Sequence, residues 1–259
     1  MKNPLKSKKI SLIIYMKIYF TEMIFMKNTP SIVMGKTETK ILDGKCIAAE
    51  ELVSNYFKTG KKTLKIFNNV YIWNDDLSVI AQIDHVVITD RLIYIVETKD
   101  LYGWTHIYNK DDKYWHITQS GLNGYSKTGH LLYSPYLQNK KHIEAIKKAA
   151  PPGLSTLFSN MFFINMCALD TEGILYWGPN ETTYDENGVF IWAKIKGLPQ
   201  IIKKSYHKFK NKNKPFTEEQ LNELYAFFSK GVAPPELVKL KHLEKAKFAR
   251  GELLDANKK

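Results

Sequence analysis

The sequence predicts a mixed α/β fold, a β-sheet with helices packed on its faces. Three observations predict it. Two runs rich in β-branched residues, Val79–Thr89 and Leu92–Lys99, flank the polar pair Asp90-Arg91 and read as a hairpin. Stretches with helical spacing of apolar residues lie before and after these runs, so helices and strands alternate along the chain. With 44% apolar and 25% charged residues over 259 positions, the chain can bury a substantial core and lies far from the disordered class.

Taken in order, residues 1–33 read as an extension. Lys2, Lys6, Lys8 and Lys9 precede an apolar run, Ile10–Met16, that looks like a signal peptide. Lys17 and Glu22 interrupt it, however, and no small-residue cleavage site follows, so the extension is expected to be dispensable rather than a membrane anchor. Cys46, Ala49, Glu50, Val53 and Phe57 then share one helical face. Lys65–Trp73 is expected to be a strand after the Thr59-Gly60 turn, followed by the central hairpin. Trp104–Ile117 reads as two short strands around Lys110-Asp111-Asp112, and Gly121–Gly129 as a loop. Ser134 and Pro135 have the N-cap and N1 signature of a helix that should end at Pro151-Pro152-Gly153. Met161–Leu169 and Val189–Ala193 read as strands, Thr217–Ser229 as a helix, and the segment from Pro235 as a charged helical tail. The expected organisation is a main domain over 34–230 and a tail over 231–259.

Charge and cysteine content narrow the function. There are 38 Lys+Arg against 26 Asp+Glu, a formal net charge of +12, which favours a polyanionic partner such as nucleic acid. Arg91 and Arg250 are the sole arginines, and lysine lacks the bidentate fork that reads guanine, so contacts to backbone phosphate are expected more than sequence reading. The lysine-dense stretch Lys203–Lys214 is either a phosphate track or a solvated loop. Two cysteines, Cys46 and Cys167, are too few for a disulfide framework or a zinc ribbon, and fit a reducing, cytoplasmic setting.

The chemistry concentrates in the hairpin. With Asp90-Arg91 as a two-residue turn, facing residues have numbers summing to about 181, which sets Asp84 opposite Glu97 and Gln82 opposite Lys99. Ile83, Val87, Tyr94 and Val96 are expected on the other face, with His85 packed into the core. Facing carboxylates destabilise a hairpin unless a cation lies between them. Mg²⁺ is held by one or two carboxylates, with water and substrate phosphate completing its shell. Lys99 would position a water or offset charge on a phosphate. The alternative is a Glu97–Lys99 salt bridge with Asp84 on a solvated face.

The segments Gln82-Ile-Asp-His-Val-Val-Ile88 and Tyr94-Ile-Val-Glu-Thr-Lys99, followed by Gly103, resemble the motifs of the NERD (nuclease-related) domain of the PD-(D/E)xK nuclease-like superfamily. The likeness extends over about residues 40–150, upstream to Glu50 and downstream to Ser134-Pro-Tyr-Leu-Gln138, which is similar to an Asn-Pro-x-x-Gln pattern. Ala49-Glu50 stands where the family often has Gly-Glu, with Glu51 beside it, and Ser134 replaces the asparagine while remaining a good N-cap. The resemblance implies a restriction-endonuclease-like mixed β-sheet flanked by helices. It further implies that Asp84 and Glu97, with Glu50 as a further ligand, hold Mg²⁺ or Mn²⁺, that Lys99 acts at the attacking water, and that Gln138 contacts substrate or water. His142, four residues after Gln138, shares its helical face. The expected function is metal-dependent hydrolysis of DNA phosphodiester bonds. The alternative is a non-catalytic nucleic-acid-binding or interaction module on a nuclease-related fold.

Overall fold

The computed structural model describes residues 49–60, 62–101, 104–107, 111–120, 126–171, 173–176 and 192–257. The expectations for residues 1–33, Cys46, Gly103 and Lys110 therefore lie outside the described residues, as does part of the expected 189–193 strand.

Helix α1 (49–58) leads into β1 (Thr63–Trp73), β2 (Ile80–Thr89) and β3 (Ile93–Asp100). A second group of strands follows: β4 (Trp104–Ile107), β5 (Tyr114–Ser120) and β6 (Ser126–Tyr133). Then come α2 (Pro135–Ala149), α3 (Pro152–Asn160), β7 (Phe163–Asp170), β8 (Gly173–Tyr176) and β9 (Trp192–Lys194). Helices α4 (Leu198–Phe209), α5 (Glu218–Val232) and α6 (Glu236–Asn257) close the chain. The main sheet has the order β1-β2-β3-β7-β9, antiparallel through β3 and parallel from β3 to β9. The fold is thus the expected mixed α/β sheet flanked by helices, consistent with a nuclease-like fold.

Helices cover both faces of this sheet, which is why β3 and β7 read as nearly continuous apolar runs. On one face Ala49, Val53 and Phe57 of α1 and Leu198, Tyr206 and Phe209 of α4 pack against Val87, Tyr94, Val96 and Ile164. On the other, Ala145 and Ile146 of α2, Phe158 of α3, and Leu224 and Phe228 of α5 cover Val70, Ile72, Val86, Ile88 and Ile95. Helix α5 approaches β1 so closely that a Cβ at Gly231 would lie 2.4 Å from the Tyr71 carbonyl oxygen, so the helix requires glycine there. Thr217 caps α5 with a full capping box, as its Thr-Glu-Glu-Gln opening predicts. The smaller sheet, ordered β6-β5-β4-β8, joins the main one through Trp115, Tyr136, Cys167 and Leu169. Among the described residues no helix is long and apolar enough to cross a membrane.

Several expectations need correction. The loop read over 121–129 becomes strand from Ser126 onward, because β6 is an outermost strand of the smaller sheet, where an internal glycine is tolerated. Pro151-Pro152 ends one helix and opens another, Pro152 standing at the N-terminus of α3 where a missing N–H costs nothing. The basic stretch from Lys203 is not a loop at its start: it lies on α4, with Lys203, Lys204 and Lys208 on the solvent side. Strand β8 carried no expectation at all. Finally, Ile83 packs with Val86 and Ile88, not with Val87 and Tyr94. Asn69, at φ 53° within β1, breaks the two-residue alternation, and the facing stretch of β2 changes face between Ile83 and Val86.

Candidate active site

The turn is where the sequence places it. Thr89 N–H donates to the Leu92 carbonyl at 2.9 Å, and the pairs Ile88/Ile93, Val87/Tyr94, Val86/Ile95 and His85/Val96 hold the expected register. The ladder stops there. Asp84 and Glu97 are not ladder partners, so the direct opposition expected for Asp84/Glu97 and Gln82/Lys99 does not form. Gln82 instead donates from Nε2 to Asn69 Oδ1 at 2.8 Å, away from Lys99. Asp84 turns its carboxylate to the next strand, where Oδ2 accepts the Thr98 backbone N–H at 2.8 Å.

Glu97 is 1% exposed and is ion-paired through Oε1 to Lys99 Nζ. Among the described residues its other oxygen, Oε2, finds no partner within hydrogen-bond geometry; it lies 3.8 Å from His142 Nδ1, which is buried and likewise without one there. Helix α2 brings both Gln138 and His142 to this point. Ser134 caps it, Oγ accepting from Leu137 N–H at 3.3 Å, and one turn later Gln138 faces the Glu97 carboxylate and favours its charge. Asn139, fully buried, fixes the helix to the sheet by donating to the carbonyls of Ile95 at 3.1 Å and Met166 at 3.0 Å.

The acids are uncomfortable as anions. Burial, then the charge of Glu97, pushes Asp84 up to about 7, against the pull of Lys99 and the Thr98 N–H. Burial, then Asp84, pushes Glu50 up to about 7 as well. Burial raises Glu97 too, with Lys99 opposing. Lys99 is desolvated, yet Glu97 and Asp84 outweigh that and raise its pKa, which favours the ammonium form. His142 is pushed down to about 3 by burial and Lys99, and remains neutral. Cys167, beside Glu97 in the β3–β7 register, has its thiol raised well above the usual range by burial, which favours the neutral thiol.

The structure therefore brings Asp84, Glu97, Lys99 and Gln138 together at the broken end of the hairpin, with the charge of Glu50 acting on the group from α1. Glu50 is partly buried whereas Glu51 is exposed, so Glu50 is the inward one of the pair. A cleft of about 450 Å³ opens at α1, lined by Glu50, Glu51, Ser54, Asn68 and His85 among others, while Asp84, Glu97, Lys99 and Gln138 do not line it. Among the described residues no three His, Cys, Asp or Glu side chains form a ready-made metal cage. The group contains a buried Glu97 oxygen without a partner among the described residues and two further acids held above their usual range.

Sequence reasoning missed Thr98 and Asn139, which hold Asp84 and the Gln138 helix in place. The signal for Thr98 was its position between Glu97 and Lys99. Asn139 had a signal in being an amide at the centre of an otherwise amphipathic helix. His85 is the packed, hydrogen-bonded histidine expected.

Residues 45–168 match the family model described as NERD, nuclease-related domain, a span just under half of the chain. An uncharacterized protein of Bacillus anthracis is 32% identical over 101 residues, covering 39% of this chain and 44% of the relative. The chain thus spans less than half the length of that relative. No solved structure matches at a significant level.

Proposed function

From the nuclease-related domain at residues 45–168, we propose that the protein is a nuclease which hydrolyses phosphodiester bonds of DNA with a divalent cation, Mg²⁺ or Mn²⁺. The observation that carries this reading is the buried Glu97 carboxylate, one oxygen of which has no partner among the described residues, beside two acids raised to about 7. Such a set gains most from a hard cation with oxygen ligands. Asp84 and Glu97 are its holders and Glu50 a further one, with substrate phosphate and water supplying the remaining positions. When bound, the cation stabilises charge on the phosphate and acidifies a water.

The chain's own residues do the rest. Lys99, kept charged by Glu97, orients the attacking water and offsets charge on the phosphate rather than removing a proton. Gln138 holds Glu97 ionised and directs its amide at water or substrate. Nucleic acid approaches along the cleft at α1, with Lys203, Lys204 and Lys208 on α4 as phosphate contacts. The main domain spans 34–230, the segment 231–259 is a helical tail, 1–33 is dispensable, and the setting is cytoplasmic.

A non-catalytic nucleic-acid-binding module is the second reading, favoured by the engagement of Lys99 with Glu97 and by the looseness of the acid group. Incubating purified protein with linear and circular DNA in Mg²⁺, Mn²⁺ or EDTA separates the two. Cleavage that EDTA abolishes is expected; salt-sensitive binding with no cleavage in either metal selects the second reading.

A further inference from the structure

A row of polar side chains crosses the sheet at the level where the β2–β3 ladder stops. Asn68 Nδ2 donates to Ser54 Oγ at 3.1 Å, so its Oδ1 is left as an acceptor, 2.9 Å from His85 Nδ1. His85 Nδ1 then carries the ring proton, and Nε2 accepts from the Thr98 hydroxyl at 3.0 Å. Burial holds the ring neutral, lowering it to about 4, as this one-donor, one-acceptor arrangement needs. Asn68 is at the exposed end of the row, on the cleft, while Ser54, His85 and Thr98 are buried.

Thr98 is also where the ladder is diverted. Hydrogen-bonded pairs recur every second residue, and Thr89/Leu92 is one such pair. The series 89/92, 87/94, 85/96 continues to 83/98, so a regular ladder would give the Thr98 N–H to the Ile83 carbonyl. It goes to Asp84 Oδ2 instead, at 2.8 Å. A hydrophobic residue at position 85 would fill the space between Asn68 and Thr98, but would leave the Thr98 hydroxyl, in a residue only 7% exposed, without this partner.

We propose that His85 is a positioning residue for Asp84: by holding the Thr98 hydroxyl it aims the Thr98 N–H at the Asp84 carboxylate, fixing Oδ2 and presenting Oδ1 to a cation. This rests on the reading of Asp84 as a metal holder. It assigns His85 a role toward a neighbouring carboxylate, with no contact to substrate.

Hydrogen exchange of the residue-98 amide in metal-free protein tests it, beside Mn²⁺ titration by electron paramagnetic resonance and steady-state cleavage. Thr98→Val removes the hydroxyl at constant shape, Thr98→Ser retains it, and His85→Asn keeps a donor toward Asn68 but is too short to reach Thr98. Thr98→Val and His85→Asn should speed exchange at residue 98 and weaken Mn²⁺ binding about tenfold or more, the usual loss for an outer hydrogen-bond partner. Turnover should fall in step with KM for DNA unchanged, and Thr98→Ser should stay close to wild type. Unchanged protection at residue 98 in both weakened variants overturns the proposal, as does protection lost evenly along the whole hairpin. If wild type binds no Mn²⁺ and cuts nothing, the nuclease reading fails, and the residue-98 amide alone then decides whether His85 positions Asp84.

Discussion

Between the Asp90-Arg91 turn and the His85/Val96 pair, the central hairpin is a regular antiparallel ladder buried on both faces, whereas beyond that pair the same two strands carry Asp84, Glu97 and Lys99 and cease to pair. One half spends its backbone groups on cross-strand bonds and its side chains on packing. The other has backbone groups to satisfy by different means, since a buried N–H cannot be left unpaired. Asp84 takes one of them with its carboxylate. The acid cluster thus forms where the sheet stops being regular, and the apolar half supplies the stability that lets Asp84, Glu97 and Glu50 repel one another and still sit together.

The largest expected effect is on activity and comes from the irregular half. Asp84→Asn should lower cleavage about a thousandfold, if the carboxylate supplies on the order of 4 kcal/mol to the transition state. The metal-free variant should melt no lower than wild type, because the change removes a repulsion with Glu97 while leaving an acceptor for the Thr98 N–H. A variant that cuts normally, or that melts much earlier, breaks the division of labour between the halves.

Ile95→Ala is the mirror experiment in the regular half. Ile95 is fully buried among Val86, Ile93 and Phe158, so truncation should cost about 2–5 kcal/mol of stability. Turnover measured well below the melting temperature should be unchanged. Loss of turnover in a folded Ile95→Ala protein would show that the two halves are not separable.

How legible each half was in the sequence follows from the same difference. The register from Thr89/Leu92 to His85/Val96 could be read from one turn and a two-residue period, because regular strands repeat. The positions of Asp84 and Gln82 could not. Asn69 at positive φ shifts the alternation, and no local pattern in β1 announces it, since asparagine visits that region only in some contexts. Glu97 and Lys99 stood out by type and spacing and Gln138 through the family resemblance, and the structure sets all three at the same end of the hairpin. The Asn68–His85–Thr98 row joins three strands and requires knowing which strands are neighbours.

Third in size is the response to metal. Mg²⁺ at 100 times its Kd should stabilise wild type by about 2.7 kcal/mol and leave Asp84→Asn close to its metal-free melting temperature. Thermal melts with and without Mg²⁺ measure this. An equal shift in both proteins would place the cation away from Asp84.

The smallest effect is the pH slope of the metal-free protein, and its sign discriminates between the halves. Asp84 and Glu50 rise to about 7 in the fold, against an ordinary carboxylate value near 4 when unfolded. Between those values the native state binds more protons than the unfolded chain, so their contribution is fully present below about pH 4 and is lost as pH rises through 7. His85 and His142, held down to about 4 and 3, act oppositely: their contribution is present above about 6.5 and is lost as pH falls through those lowered values. The raw melting curve mixes both trends, but the difference between wild type and Asp84→Asn cancels the histidines. That difference should grow in favour of the variant from about pH 4 to pH 7 and level off above. It should amount to a few degrees at most, because Asp84 and Glu50 keep some contact with water, which screens their charges. Mg²⁺ should act in the reverse sense, stabilising wild type more at pH 8 than at pH 5, since protons compete for the same oxygens. A flat difference curve would mean that Asp84 is ionised at an ordinary pKa, and that the broken end of the hairpin holds no strained acid for a cation to relieve.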